Sequence, residues 1–130
     1  MARVEMAVFD SSAILAVLLN ESGGAEVSAL IQGSHLSTVN LLEVHTRLLL
    51  GGVPADLAWG RILGLKLDIC NLNDQQARIA AELIWVTRPL GLSLGDRACL
   101  ALAIQRQAMV YTTDKAWKNL DLGIEIEVIR

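Results

Sequence analysis

Residues 4–19 read VEMAVFDSSAILAVLL: an apolar run that halts at Asp10 and Ser11-Ser12, then a second apolar run of different spacing. The first part reads as a strand buried on both faces, because apolar residues crowd it with little alternation. Ser11-Ser12 then opens a helix through residues 13–19, stopped by Asn20 and the turn Glu21-Ser22-Gly23-Gly24. An acidic side chain is thereby placed where a strand ends and a helix begins.

The same alternation continues outward from that unit. A helix is predicted over 25–32, ending at Gly33, and a short strand over 35–39. Residues 40–50 form a helix closed by Gly51-Gly52, and Pro54 starts another over 55–63. A third strand spans 67–72, and a long helix follows over 74–87, closed by Pro89 and Gly91. A helix over 95–107, a strand over 109–113 and a last strand over 125–129 (EIEVI) complete the chain. Strand–helix alternation with short connections predicts an α/β sandwich on a mostly parallel sheet. In such folds ligands bind beyond the carboxyl ends of the strands.

The chain has 130 residues, enough for one domain with one apolar interior. Hydrophobic residues make up 53% and aromatics only 4%, so the core is aliphatic and disorder is excluded. The net charge of −3 lacks the basic surplus of a typical phosphate binder. RNA binding would therefore depend on local basic side chains and bound cations.

Cys70 and Cys99 form no CxxC pair, which argues for two buried free thiols in a reducing compartment. No secretory signal is visible, and the longest apolar stretch, 13–19, falls far short of the ~18 residues that span a bilayer. A cytoplasmic protein without membrane attachment is expected.

Four carboxylates fall where the crevice rule directs attention. Asp10 ends the first strand, and Asp114 ends the strand over 109–113. Glu43 lies one turn into the helix after the second strand, and Asp96 lies in the first turn of the helix over 95–107. Strand ends and the starts of following helices share one edge of a parallel sheet, so all four can converge. Convergent carboxylates raise one another's pKa, and a hard divalent cation with oxygen ligands relieves the repulsion.

Each acid also has an ordinary explanation. Asp10 alone serves equally well as a helix N-cap, and Asp114 as a turn residue. Glu43 stands four residues before Arg47, the spacing of a solvated ion pair. Asp96 carries the strongest signal, because residues 98–104 of its helix are apolar around most of the circumference and hence buried. A desolvated carboxylate there needs a partner or a metal.

His45 lies about 200° around its helix from Glu43, on the apolar stripe, and reads as a core or interface residue. His35 opens a strand and reads as a loop or surface residue, so a His-rich zinc site is not expected. Trp117, three residues after Asp114, either borders the crevice and stacks on a base or packs its own loop.

Four segments together resemble the PIN-domain ribonucleases, in particular the VapC toxins of toxin–antitoxin modules. They are AVFDSSAILAVLLNE (7–21), LSTVNLLEV (36–44), LGLSLGDRACLALA (90–103) and VYTTDKAWKNL (110–120), with IEVIR at the end. The resemblance implies a PIN-like three-layer sandwich, residues 1–130, with a five-stranded sheet flanked by helices. It implies that Asp10, Glu43, Asp96 and Asp114 are catalytic metal ligands, supported by Ser12, Asn40 and Thr113. The implied chemistry is Mg²⁺- or Mn²⁺-dependent hydrolysis of RNA by a metal-activated water, with the 3′-oxygen leaving. A cognate antitoxin and a homodimer are the implied partners. Arg97, Lys115 and Trp117, with Arg47 and Lys118, are the candidates for holding RNA.

Two other classes compete. A carboxylate–Mg²⁺ phosphatase or phosphotransfer domain would show paired acids or DxD near the first strand, whereas this chain has Phe9-Asp10-Ser11-Ser12. A catalytically silent PIN-like module that binds RNA or protein would retain the fold without cutting.

Overall fold

The computed structural model describes residues 7–130. The first half runs β1 (Val8–Phe9), α1 (Ser11–Leu18), α2 (Gly24–Val27), β2 (His35–Ser37), α3 (Thr38–Leu50) and α4 (Ala55–Gly64). The second runs β3 (Asp68–Cys70), α5 (Asp74–Glu82), α6 (Ile84–Thr87), α7 (Leu94–Arg106), β4 (Val110–Thr112) and β5 (Ile126–Val128). Short 3-10 turns occupy Ser28–Leu30, Arg88–Leu90 and Lys115–Asn119.

The five strands form one sheet in the order β3-β2-β1-β4-β5, and every pairing is parallel. This is the α/β sandwich that the alternation predicts. Successive residues of each strand face opposite sides, and both sides are packed. Phe9 joins Ile14, Leu36, Val44 and Leu48 on one side, whereas Val8 joins Leu100, Leu102, Val110 and Trp117 on the other. The apolar run of α7 explains its place: Ala98 through Ala103 are all buried between the sheet and α5.

The order in which strands are added reverses at β1, whose neighbours are β2 on one flank and β4 on the other. Such a switch point leaves a crevice at the strands' carboxyl ends, because the connections from β1 and β4 depart to different sides. Asp10 follows β1, and Asp114 follows β4 by two residues.

Several predicted elements are shorter than their apolar runs. The expected strand over 67–72 pairs only at Asp68–Cys70, and of the strand over 4–9 residues 4–6 lie outside the described residues. The helix expected over 25–32 is α2 followed by a 3-10 turn. The helix expected over 74–87 breaks at Leu83, where the Thr87 hydroxyl donates to the Leu83 carbonyl at 2.9 Å and the β-branched 84–87 segment turns away as α6. Among the described residues, no helix is long and apolar enough to cross a membrane.

Candidate active site

Asp10 is the anchor of the crevice. Its φ of −82° and ψ of 173° are extended, and its carboxylate caps α1 by accepting the Ala13 N–H at 2.8 Å. The cap and burial at the crevice thus coexist. The same carboxylate accepts the Ser12 hydroxyl at 2.7 Å and the Thr112 hydroxyl at 2.6 Å. Only 3% of the residue is exposed. Burial pushes its pKa up to about 6, against the pull of the Thr112, Ala13 and Ser12 hydrogen bonds, and the charge of Asp96 adds to the push.

Asp96 sits at the third position of α7 in a reciprocal cap with Ser93. The Ser93 N–H donates to Asp96 Oδ2 at 2.8 Å, and the Asp96 N–H donates to Ser93 Oγ at 3.2 Å. Burial raises its pKa, the bonds to Ser93 lower it, and the nearby charges of Glu43 and Asp114 raise it again. Capping and proximity to the other acids therefore hold together here as well.

Glu43 makes no ion pair with Arg47 among the described residues. Its carboxylate instead accepts the Ser11 hydroxyl at 3.0 Å and the Asn40 amide at 2.8 Å. The Asn40 amide also donates to the Gly95 carbonyl at 3.0 Å, which ties α3 to the start of α7. Gly95 is required by this approach, since a Cβ there would overlap the Glu43 carboxylate. Asp114 is exposed and accepts the Ala116 N–H at 3.0 Å, and its own N–H donates to Thr112 Oγ1 at 3.1 Å.

Three expectations need correction. Thr113 contributes its backbone, whose N–H donates to Ser12 Oγ at 3.0 Å, while the hydroxyl on Asp10 is that of Thr112. The register explains the exchange: Val8 pairs with Val110 and Phe9 with Tyr111, which brings Thr112 opposite Asp10. Trp117 has no exposed surface and packs in the core, so base stacking is excluded for it. Arg97 donates to the Ala80 carbonyl at 3.0 Å and is committed to α5 rather than free for a phosphate. Lys115 and Lys118 remain exposed, as does Arg47. Sequence reasoning also missed Ser11, whose hydroxyl holds the Glu43 carboxylate, and Ser93, whose backbone N–H holds that of Asp96; their positions at helix starts were the available signal.

The donor set suits a hard cation. All four acids offer carboxylate oxygens, and the buried Asn40 Oδ1 beside Glu43 has no hydrogen-bond partner. The acids are spread rather than clenched: among the described residues, no three of them bring oxygens within 4.8 Å of one another. Mg²⁺ accepts such an arrangement because it retains several waters and takes few protein ligands.

A family model described as PIN domain matches residues 7–122. No curated protein sequence matches the chain. Among solved structures, DNA-bound VapBC from Salmonella typhimurium aligns with a TM-score of 0.74 at 16% identity, covering 95% of this chain and 98% of that one. A toxin–antitoxin complex from Klebsiella pneumoniae aligns with a TM-score of 0.69 at 17% identity, covering 92% and 99%. VapBC-5 from Mycobacterium tuberculosis, a member of the VapBC family of toxin–antitoxin systems, aligns with a TM-score of 0.62 at 22% identity, covering 98% and 99%.

Proposed function

The chain belongs to the PIN-domain family, and from that premise we propose that it is a divalent-cation-dependent endoribonuclease, the toxin of a type II toxin–antitoxin pair. The observation that carries the reading is that the charge of Asp96 acts on Asp10 while those of Glu43 and Asp114 act on Asp96 at the switch-point crevice, with Asp10 buried and pushed up to about 6. That arrangement is costly for the protein alone and is relieved by a bound cation.

Asp10, Asp96, Glu43 and Asp114 would hold Mg²⁺ or Mn²⁺, which supplies positive charge at the phosphate and acidifies water. The chain's own residues fix the geometry. Ser12 and Thr112 clamp Asp10, Asn40 and Ser11 clamp Glu43, and Ser93 clamps Asp96. Lys115 and Lys118, exposed beside Asp114, steer the RNA backbone towards the crevice. The hydroxyls at the crevice, those of Ser11, Ser12 and Thr112, donate to Glu43 and Asp10. Both oxygens of Asp10 accept hydrogen bonds from Ser12, and Ala13 and Thr112 take one each besides, which disfavours the phosphoaspartate alternative.

The partner reading follows from the outer face of α3 and α4. Leu42, Leu50, Leu57, Trp59 and Leu63 are exposed, and a cavity of about 220 Å³ opens between Leu41, Trp59, Ile62, Leu63, Leu67 and Ile69. An apolar patch of this kind suits an amphipathic segment of an antitoxin, the kind of partner that the toxin–antitoxin complexes similar in fold contain. Trp85 and Val86 on α6 and Leu94 at the start of α7 are also exposed and would suit burial against a second copy of the chain in a homodimer.

The deciding experiment is cleavage of an RNA panel with Mg²⁺ or Mn²⁺. Cleavage that EDTA stops and Asp96→Asn abolishes, with circular dichroism unchanged, supports the nuclease. Intact RNA under every cation condition would instead assign the fold to a silent binding module.

A further inference from the structure

Pairing of β2 with β3 in register, His35 with Asp68 and Ser37 with Cys70, puts His35, Asp68 and Cys70 on one face of the sheet's edge. Their donor atoms form a compact triangle. His35 Nδ1 lies 2.8 Å from Asp68 Oδ2 and 3.8 Å from Cys70 Sγ, and that sulfur lies 3.6 Å from Asp68 Oδ2. From this geometry we propose that His35, Asp68 and Cys70 form a site for Zn²⁺, separate from the acidic crevice.

The dimensions fit the ion. With bonds of about 2.3 Å to sulfur and about 2.0–2.1 Å to nitrogen and oxygen, three corners of a tetrahedron stand roughly 3.3–3.6 Å apart. The triangle needs its sides to change by only a few tenths of an ångström, the short His35–Asp68 side opening as the cation replaces their hydrogen bond. Mixed nitrogen, oxygen and sulfur donors select a borderline-soft ion over the hard cations that suit carboxylates alone. A thiolate and a carboxylate with a neutral imidazole balance a charge of +2.

Two alternatives fit less well. A cysteine–histidine–aspartate nucleophilic triad needs the acid on one ring nitrogen and the thiol on the other, whereas Nδ1 here faces both. A plain His35–Asp68 ion pair leaves the converging thiol unexplained. The fractional exposures, 15% for the His35 side chain and 52% for that of Asp68, leave an entry path from solvent to the buried sulfur. Burial holds the Cys70 thiol above its ordinary pKa, so the cation has to displace its proton; Arg106, at the end of α7, donates to Cys70 Sγ at 3.4 Å and pulls the other way, and its long side chain can swing out as the cation enters. Cys70 and His35 share no spacing motif, so only the strand register brings them together. His35 and Asp68 open β2 and β3 on one flank of β1, whereas Asp10 follows the carboxyl end of β1 itself, and among the described residues none of His35, Asp68 and Cys70 is hydrogen-bonded to the four acids. A bound Zn²⁺ would pin the edge strand β3 to β2.

Cobalt titration of the intact protein tests this, because Co²⁺ replaces Zn²⁺ and shows a near-ultraviolet thiolate-to-metal band that carboxylates cannot produce. The band is expected to appear in excess Mg²⁺, to vanish on adding Zn²⁺, and to survive Cys99→Ser. Cys70→Ser should remove it. Asp68→Asn, at a half-exposed position that leaves the core intact, should weaken cobalt affinity about tenfold or more. Absence of the band, its persistence in Cys70→Ser, or unchanged affinity in Asp68→Asn would overturn the proposal.

Discussion

At the residue scale, the crevice depends on a glycine as much as on its acids. Gly95 leaves room for the Glu43 carboxylate, which Ser11 and Asn40 hold in place. A methyl group there meets the flexible end of a side chain rather than backbone, so Gly95→Ala displaces Glu43 at little cost to stability, and the gain in helix propensity offsets part of it. Cleavage is expected to fall about tenfold or more while the melting temperature changes by only a few degrees. Loss of both together would show that Gly95 serves packing instead. Thr112→Val is the complementary case: it removes the hydroxyl on Asp10 and leaves the Asp114 N–H without its acceptor. It should cost about 1–3 kcal/mol in a urea unfolding titration, whereas Thr113→Val, which keeps the backbone bond to Ser12, should cost much less. These neighbours also show where sequence reading stops. Asp10, Glu43, Asp96 and Asp114 are legible because each stands at the end of a strand or within the first turns of a helix. Which of two adjacent threonines meets Asp10 depends on the β1–β4 register, which alternation within one strand cannot reveal.

At the scale of elements, the order of strands and helices is readable because each apolar run ends at a capping or breaking residue. Ser37, Asn73 and Ser93 cap the helices that follow them. Less readable are breaks that arise from packing, such as the one between α5 and α6, where apolar residues continue through 83–86 without a glycine or proline. The turn before α2 is legible from its Gly23-Gly24 pair, but the packing that demands those glycines is not. Gly23 adopts φ 89°, and Gly24 packs so closely on α1 that a Cβ would overlap the backbone of Ala16 and Val17. Because neither neighbour is a movable side chain, Gly24→Ala must push α2 away from α1. It is expected to destabilise the fold by about 1–3 kcal/mol, read as a lower urea midpoint with an unchanged slope. An unchanged midpoint would mean that the α1–α2 contact loosens freely.

At the scale of the whole molecule, the clustered acids couple stability to pH and to cations. Asp10 has an ordinary value near 3.8 and about 6 in the fold. Between those values the folded protein keeps a proton that the unfolded chain has released. Stability contributed by that proton is therefore full below about pH 4, falls as pH rises towards about 6 and is absent above, a change of roughly 3 kcal/mol in all. Asp96, also raised by burial, contributes with the same sign. In EDTA, urea titrations at about pH 4.5 and about pH 7 should show less stability from this pair at the higher pH. A cation that binds the ionised acids reverses the balance, since it stabilises only the folded state and competes with the protons. Saturation at about a hundred times its dissociation constant adds roughly 2.7 kcal/mol, so Mg²⁺ or Mn²⁺ should restore at pH 7 most of what deprotonation removes and do little at pH 4.5. Asp96→Asn should shrink that restoration. If the cation stabilised wild type and variant equally at both pH values, the ion would be binding elsewhere, and the buried charge of Asp10 would require another compensating partner.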